Sequence, residues 1–308
     1  MIVVAVPDER TRQALEPAPE GVRVVVWDLY HPPAGAELDE VNVVLVPHYQ
    51  LDRKPFEQFR HMPALRMIQL PSAGFDHLLR YLPEGVALCN GRGIHSEETA
   101  ELAVGLLLAS CRGIGESAVH TATDHLWAPR LRSSVFRSRV LVVGFGSVGV
   151  EIARRLQAFG AHVEAVARHP REQDGVTVHD MDALPRLLPE VDTVVLIVPL
   201  DASTRHLVDA QFLSRMKDGA LLVNVARGPV VDTEALRAEL NSGRLRAALD
   251  VTDPEPLPPE HPLWDAPNLI ITPHEGGNTT ATFVKTVELM REQLRRLSTG
   301  ESAMNRVI

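Results

Sequence analysis

Short runs of consecutive apolar residues alternate along this chain with longer segments of helical periodicity. Uninterrupted apolar runs are typical of strands in a parallel sheet that is covered by helices on both faces. Two series of such runs predict two doubly wound α/β domains. The predicted strands are 2–6, 22–27, 41–46, 65–70 and 86–89 in the first series, and 139–143, 163–167, 193–198, 220–225, 246–249 and 269–271 in the second.

Two long helical segments indicate how these domains are connected. Segment 96–110 begins with acidic residues and continues with an apolar stretch, which predicts a buried helix whose first turn is stabilised by the helix dipole. A second helix, at about 279–297, follows the last strand. We therefore predict that one domain, residues 99–284, is inserted into a discontinuous second domain, residues 1–98 and 285–308. The cleft between the domains is the expected site.

Composition narrows the class of protein. The chain has 308 residues, of which 45% are hydrophobic and 23% charged, and its formal net charge is −9. A negative charge argues against nucleic acid as a partner, because phosphate backbones select basic surfaces, and no apolar run approaches the roughly 20 residues of a membrane span. The two cysteines, Cys89 and Cys111, lie in apolar stretches without metal-ligand spacing, as expected of reduced thiols in a cytoplasmic protein without a metal site.

A glycine-rich turn follows the first strand of the second series. Its first glycine forms a tight turn, its second lets backbone N–H groups approach a pyrophosphate, and its third lets the following helix, predicted at 151–159, pack closely on the strand. We predict that this turn binds a dinucleotide, and that residues 99–284 are therefore a Rossmann dinucleotide-binding domain inserted into a flavodoxin-like substrate domain. The predicted contacts in the turn are Gly144, Gly146, Ser147, Val148 and Gly149.

The residues after the next strand indicate which dinucleotide binds. An NAD site has an acidic residue about 20 positions beyond the turn, whereas this chain has Ala167 followed by Arg168 and, further on, Arg171. A missing carboxylate removes repulsion of a 2′-phosphate, and a guanidinium group binds phosphate through two donors. We therefore predict that NADP(H) is preferred, with NAD(H) possible, and that Arg168 binds the phosphate. A solvated loop charge is a fair alternative explanation for Arg171 and a poorer one for Arg168.

Three more segments carry ionisable residues at the ends of apolar strands, where open α/β sheets bind their ligands. Arg227 directly follows a strand, Glu255 lies between two prolines, and His274 follows Thr-Pro. Taken separately, each residue is no better explained by catalysis than by a surface loop. As an ordered set behind a dinucleotide turn, they indicate a catalytic site.

In these segments the chain resembles the D-isomer-specific 2-hydroxyacid dehydrogenases, which include glyoxylate/hydroxypyruvate reductases, D-lactate dehydrogenases and phosphoglycerate dehydrogenases. Segment 70–76 also resembles the substrate-domain loop of that family. The resemblance implies an oxidoreductase that transfers hydride between NAD(P)H and a small 2-oxo or 2-hydroxy acid such as glyoxylate or hydroxypyruvate. The motifs that carry it are Asn224-Val225-Ala226-Arg227-Gly228, Asp250-Val251 with Glu255-Pro256, and Thr272-Pro273-His274 with Gly276-Gly277.

The resemblance also implies a role for each site residue. Arg227 binds the substrate carboxylate and polarises the carbonyl group. His274 contacts the substrate and donates a proton to the carbonyl oxygen, or accepts one in the reverse reaction, and Glu255 hydrogen-bonds His274. Backbone N–H groups of Ala73 and Gly74 complete the carboxylate site. The implied cofactor contacts outside the turn are Val198, Pro199, Val225, Ala226, Asp250 and Gly277.

Some alternatives stay open at the level of sequence. Glu275 stands where the family has an aliphatic residue, and it either acts on His274 or faces solvent. A dinucleotide-sensing, corepressor-like regulator on the same scaffold is the alternative function, and a structural dimerisation module is a third. The resemblance implies a homodimer, formed through helix 100–114 and segment 120–131. The substrate side chain is expected to contact Tyr49, Leu70, Phe75 and Trp264.

Overall fold

Parallel strand pairing organises both parts of this protein. The computed structural model describes residues 1–48 and 53–308, so the predicted substrate contact Tyr49 lies outside the described residues. The chain separates into unit 1, Met1–His95 with Thr279–Ile308, and unit 2, Ser96–Asn278. The boundaries differ from the predicted 98 and 285 because each long helix belongs to one unit over its whole length.

Each predicted strand has a counterpart in the structure, and two further strands and several helices were not predicted. The described strands are β1 (Ile2–Val6), β2 (Val22–Val26), β3 (Val43–Leu45), β4 (Met67–Gln69), β5 (Ala87–Cys89), β6 (Arg139–Val143), β7 (His162–Val166), β8 (Arg171–Gln173), β9 (Val176–His179), β10 (Thr193–Leu196), β11 (Leu221–Asn224), β12 (Arg246–Leu249) and β13 (Leu269–Ile271). The α-helices are α1 (Glu9–Ala14), α2 (Ser96–Arg112), α3 (Ile114–Ala122), α4 (Ser147–Ala158), α5 (Leu184–Leu187), α6 (Ala210–Arg215), α7 (Thr233–Asn241) and α8 (Thr280–Thr299). Short 3₁₀ helices occupy Leu38–Glu40, Lys54–His61, Asp76–Tyr81, Met181–Ala183, Leu188–Glu190, Gly228–Val230 and Pro262–Asp265.

Unit 1 contains a five-stranded parallel sheet in the order β2-β1-β3-β4-β5. This is the flavodoxin-like order, in which ligands bind beyond the carboxyl ends of the strands. Helix α8 covers one face of the sheet through its buried residues Val287, Met290 and Leu294. The last residues of the chain run antiparallel to the outer edge of β5, where the Val307 N–H donates to the Leu88 carbonyl oxygen at 2.8 Å.

Unit 2 contains an eight-stranded sheet in the order β13-β12-β11-β10-β6-β7-β9-β8. The strand order reverses between β6 and β10, and this switch point is where dinucleotides bind in Rossmann folds. The predicted α/β class with parallel sheets is confirmed. The antiparallel edge strand β8 and its partner β9 were not predicted, because they have only three and four residues and neither is a continuous apolar run.

Several helix bounds differ from the prediction for local reasons. Helix α4 begins at Ser147, four residues before the predicted start, because Gly146 is its N-cap residue. Helix α2 continues to Arg112 and ends before Gly113, whose φ of 63° is left-handed. Among the described helices, none alone has the length and apolar composition for a membrane span; α2 and α3 meet that test only as a pair, with a bend of 70° between them.

Candidate active site

The glycine-rich turn lies between the carboxyl end of β6 and the start of α4. Gly144 has a φ of 102°, which disfavours any other residue, and a Cβ on Gly149 would lie 2.4 Å from the carbonyl oxygen of Gly144. In contrast, no atom lies within 4 Å of the position that a Cβ on Gly146 would take. The space beside Gly146 is therefore open at the N-terminus of α4, where helix N–H groups and the helix dipole attract a phosphate.

The arginines after β7 occupy different positions. Arg168 is exposed, and its guanidinium makes no hydrogen bond or ion pair with any residue that the structure describes. Arg171 lies at the start of β8 and donates from Nη2 to the carbonyl oxygen of Phe145 at 2.7 Å, and from Nη1 to the carbonyl oxygen of His169 at 3.0 Å. Arg171 is exposed, as a solvated charge would be, but its guanidinium is also bound to the glycine-rich turn. Sequence spacing could not reveal this contact.

Arg227 projects from a turn that the side chain of Asn224 shapes. Asn224 ends β11, and its amide accepts from the Ala226 N–H at 3.0 Å and donates to the Arg227 carbonyl oxygen at 3.0 Å. Both Val225 and Ala226 are buried within this turn. The side chain of Arg227 is half-buried, and its Nη1 donates to the Ala226 carbonyl oxygen at 2.7 Å. Asn224 belongs to the motif that resembles the family, but the sequence did not show that its side chain forms this turn.

The Arg227 turn is packed directly on the loop that carries Glu255. A Cβ on Gly228 would lie 1.8 Å from the Thr252 carbonyl oxygen, so only glycine allows this approach. Helix α7 adds a second link, because the Thr233 hydroxyl donates to the Asp253 carbonyl oxygen at 2.9 Å. These contacts fix the two loops relative to each other within unit 2.

Glu255 and His274 form a hydrogen-bonded pair. His274 Nδ1 and Glu255 Oε1 are 2.5 Å apart, and the two side chains are 39% and 40% exposed. The carboxylate accepts the proton on Nδ1, which sets the orientation of the imidazole ring and leaves Nε2 as its second proton-carrying atom. A carboxylate and an imidazole in this geometry can hold a proton and transfer it to a bound substrate.

The carboxylate of Asp250 organises the loop that carries His274. Asp250 is buried at the end of β12 and accepts from the Thr272 hydroxyl at 2.6 Å, the Glu275 N–H at 2.8 Å and the Gly276 N–H at 2.9 Å. His274 itself has a φ of 56°, in the left-handed region. That conformation is uncommon for residues other than glycine. It is stabilised here because the Asp250 carbonyl oxygen accepts from the His274 N–H at 2.8 Å.

The other residues of unit 2 that were predicted from sequence lie around these loops. Val198 is buried and Pro199 is exposed directly after β10, and Gly277 is half-buried beyond the His274 loop. The side chain of Glu275 is exposed. Of the two alternatives, the structure therefore favours a Glu275 that faces solvent over one that acts on His274. Trp264 is about half exposed in the 3₁₀ helix before β13, and its indole N–H donates to the Pro258 carbonyl oxygen at 2.9 Å.

In unit 1, the predicted substrate contacts follow β4. Ala73 is exposed and Gly74 is half-buried, in a loop where the Ser72 hydroxyl donates to the Gly74 carbonyl oxygen at 2.8 Å. Leu70 is buried in the core of unit 1, so it is not a surface that a substrate could contact, whereas Phe75 is only partly buried. The interpretation of Leu70 as a specificity residue is therefore not supported by its burial.

Both the sequence and the fold of this chain match known proteins. The family model described as D-isomer specific 2-hydroxyacid dehydrogenase, NAD binding domain, matches residues 104–276. The chain is 37% identical over 227 residues to the glyoxylate reductase/hydroxypyruvate reductase of Mus musculus, covering 71% of this chain and 69% of the relative. It is 36% identical over 251 residues to the glyoxylate reductase of Thermofilum pendens, covering 78% and 74%.

Solved structures give the same result. The crystal structure of an NADPH-dependent glyoxylate/hydroxypyruvate reductase from Sinorhizobium meliloti, in complex with NADP and malonate, is 29% identical to this chain. The match covers 99% of this chain and 96% of that one, with a TM-score of 0.81. Together the matches confirm the family that the sequence motifs indicated.

Proposed function

Since this chain belongs to the D-isomer specific 2-hydroxyacid dehydrogenase family, we propose that it reduces a small 2-oxo acid to the 2-hydroxy acid with NADPH. The observation that carries the proposal is the Glu255–His274 pair, with its 2.5 Å hydrogen bond, in the same unit as Arg227 and the glycine-rich turn. A dinucleotide-sensing regulator has no need of an imidazole held ready to transfer a proton. We therefore do not favour that alternative.

His274 supplies the proton of the reaction. Glu255 accepts from Nδ1, so the proton that moves to the carbonyl oxygen of the substrate is the one on Nε2. The negative charge of Glu255 stabilises the protonated ring before the transfer and keeps the ring in one orientation. In the oxidation of a 2-hydroxy acid, the same atom accepts the proton of the hydroxyl group.

Arg227 binds the substrate. Its planar guanidinium group presents several N–H donors, which suits a carboxylate together with the adjacent keto oxygen. A cation at the keto oxygen also stabilises the negative charge that develops there during reduction. The Asn224 side chain fixes the backbone from which Arg227 extends, so the guanidinium needs little reorganisation on binding.

The glycine-rich turn fits a dinucleotide pyrophosphate, because the space beside Gly146 is open and the first N–H groups of α4 belong to Ser147 and Val148. A bound nicotinamide dinucleotide supplies the hydride for reduction. We assign the adjoining contacts to Val198, Pro199, Val225, Ala226, Asp250 and Gly277. The carboxylate of Asp250 already accepts three hydrogen bonds and has about four acceptor positions, so one position is left for an amide donor of the cofactor.

We also propose that NADPH is preferred over NADH. Arg168 is exposed beyond the carboxyl end of β7, with no carboxylate at Ala167 to repel a phosphate. The related reductase from Sinorhizobium meliloti is described as NADPH-dependent. Glyoxylate and hydroxypyruvate are the favoured substrates, because they are named for the relatives from mouse and Sinorhizobium meliloti.

We propose a cytoplasmic homodimer that is formed through unit 2. Large apolar side chains are exposed along α3 and the segment after it, where Trp127 is 94% and Leu131 101% exposed. Surface that is this apolar is typical of an interface between protein chains. Sedimentation should give a dimer for the natural protein and a monomer for Trp127→Asp; a monomeric natural protein would contradict the proposal.

A matrix of activities tests the proposed reaction. The purified protein is assayed with NADPH and with NADH against glyoxylate, hydroxypyruvate, pyruvate and 2-oxoglutarate. We expect the highest kcat/KM for NADPH with one of the first two acids. Cofactor binding without turnover of any 2-oxo acid would instead support the regulatory alternative.

A further inference from the structure

In the loop that carries Ala73 and Gly74, the carbonyl groups of Ser72 and Ala73 are both hydrogen-bonded to segment 90–91. The Ser72 carbonyl oxygen accepts from the Gly91 N–H at 2.7 Å, and the Ala73 carbonyl oxygen accepts from Asn90 Nδ2 at 2.7 Å. In a trans peptide the C=O and N–H bonds point in opposite directions. Because both carbonyl groups point towards segment 90–91, the N–H groups of Ala73 and Gly74 both point away from it.

These two N–H groups are not used within the fold. In residues 1–48 and 53–308, neither of them donates a hydrogen bond to the protein. Ala73 is exposed and Gly74 is half-buried, so a ligand can reach both groups. Adjacent backbone N–H groups that face the same way form a concave anion-binding site. This arrangement suits one carboxylate.

Asn90 is in turn fixed by a series of buried side-chain amides. The backbone carbonyl oxygen of Asn90 accepts from Gln69 Nε2 at 3.1 Å, and Gln69 Oε1 accepts from Gln293 Nε2 at 2.7 Å. Gln293, on α8, also bonds both backbone groups of Met304, at 2.8 and 3.0 Å. The series therefore links α8 and the C-terminal segment to the Ala73 carbonyl oxygen.

These amides are buried, and their burial indicates that they have a structural role beyond packing. Gln69 and Gln293 are fully buried and Asn90 is nearly so. Buried polar groups cost free energy unless every one of them is hydrogen-bonded, and an apolar side chain of similar size would fill such a position without that cost. A fully bonded series rigidifies what it contacts, and here it ends at the loop that carries the two N–H groups.

We propose that Asn90 is a positioning residue for the substrate carboxylate. By holding the Ala73 carbonyl oxygen, it keeps the N–H of Gly74 directed at the carboxylate before the substrate binds, while the Gly91 N–H does the same for the N–H of Ala73. Gln69 and Gln293 keep Asn90 in place. This inference rests on the proposed function, because it takes a 2-oxo acid as the ligand.

The test replaces Asn90 by aspartate, which has the same size. Asn90→Asp keeps the oxygen that accepts from the Arg92 N–H but puts a second oxygen in place of the donor to Ala73. The peptide then turns away, and one hydrogen bond to the carboxylate is lost. We expect KM for glyoxylate or hydroxypyruvate to rise by about tenfold to a hundredfold, the usual worth of a hydrogen bond to a charged group. We expect kcat to change less, and the Kd of NADPH, measured by fluorescence, to stay the same.

Asn42→Asp is the matched control. Asn42 lies in the same unit, and its side chain likewise donates to a backbone carbonyl oxygen, that of Ala64, at 3.1 Å, and accepts from the Val3 N–H at 2.9 Å. Its contacts do not include the Ala73 loop. This variant should lose stability without a change in KM.

Asn90→Ala removes the donor without adding a charge, so it decides the question if the aspartate variant does not fold. The proposal would be overturned if either folded variant had the same KM for the 2-oxo acid as the natural protein. It would also be overturned if KM for the 2-oxo acid and the Kd of NADPH rose by the same factor. Activity of the natural protein is measured first. If it reduces no 2-oxo acid, then the proposed function fails; if it is active and Asn90→Asp behaves like Asn42→Asp, then only the role of Asn90 fails.

Discussion

Arg171 donates a hydrogen bond to the carbonyl oxygen of Phe145, the residue between the first two glycines of the dinucleotide turn, at 2.7 Å. Its guanidinium also lies 5.7 Å from the centre of the Phe145 ring. The edge strand β8 is thereby connected to the turn. Arg168, three residues earlier, has no such contact with the described protein and stays exposed.

This difference predicts separate effects of the two arginines on cofactor use. Arg168→Ala should raise KM for NADPH by about tenfold or more, as loss of a charged hydrogen bond does, and leave KM for NADH unchanged. Arg171→Ala should raise KM for both cofactors, because the turn itself loses a contact. Steady-state kinetics with each cofactor distinguish the cases. Equal effects of Arg168→Ala on NADPH and NADH would contradict the assignment of Arg168.

Asp250 is predicted to act on catalysis through the His274 loop. Asp250→Asn keeps the size and shape of the side chain but replaces one acceptor oxygen by an NH₂ donor. That donor then faces an N–H or O–H group of the His274 loop, and the two donors cannot hydrogen-bond each other. We expect a loss of about 1–3 kcal/mol in the free energy of unfolding, the cost of an unsatisfied buried group. Because His274 is held in a left-handed conformation, kcat should fall too. Thr272→Ser retains the hydroxyl donor and should be close to the natural protein in both measurements. A normal kcat in Asp250→Asn would contradict the role.

Glu255 is predicted to affect turnover and not cofactor binding. Glu255→Gln preserves size but removes the negative charge that stabilises the protonated imidazole. We expect kcat to fall by about tenfold to a hundredfold, part of the usual contribution of general acid catalysis, with the Kd of NADPH unchanged. Glu260→Gln, in the same proline-rich region and exposed, is the control and should have natural kinetics. An unchanged kcat in Glu255→Gln would show that the pair has no part in proton transfer.

Acid should weaken unit 2 through Glu164. Burial alone would raise the pKa of this carboxyl, but hydrogen bonds from His179 and Arg139 outweigh burial and bring the pKa below its usual value. A lowered pKa in the folded state adds stability above the unfolded-state pKa of about 4.3. That stability is lost as the pH falls through the lower, folded-state pKa.

The difference in Tm between pH 7 and pH 3 measures this effect. Glu164→Gln should make the decrease in Tm smaller. Glu190, which pairs with the same Arg139 at 3.0 Å but is 59% exposed, provides the control, and Glu190→Gln should leave the pH dependence almost unchanged. Equal slopes for the natural protein and Glu164→Gln would contradict the prediction.

Most of the strands and the site motifs could be predicted from the sequence because they depend on local patterns. The apolar runs of β1, β6, β12 and β13 have the predicted bounds, since buried parallel strands need continuous apolar side chains. The turn at Gly144 is likewise encoded in neighbouring residues. Arg227, Glu255 and His274 could be proposed because each follows directly after a strand or lies between prolines.

Contacts between residues distant in sequence could not be predicted in this way. Nothing near Arg171 indicates that it binds Phe145, and nothing near Asn90 indicates that it holds the Ala73 carbonyl oxygen. The short strands β8 and β9 carry too few residues for a period to be evident. Leu70 was predicted as a substrate contact, but its burial depends on the packing of the whole unit and could not be predicted from neighbouring residues.

The role of His274 as the proton donor is the central claim, and single-turnover reduction by His274→Ala tests it most directly. The variant is saturated with NADPH, mixed with hydroxypyruvate or glyoxylate, and followed by the loss of NADPH absorbance. We expect the rate to fall by about a hundredfold to ten-thousandfold, as for loss of a general acid, while the Kd of NADPH matches that of the natural protein. A natural rate of reduction in this variant would contradict the account.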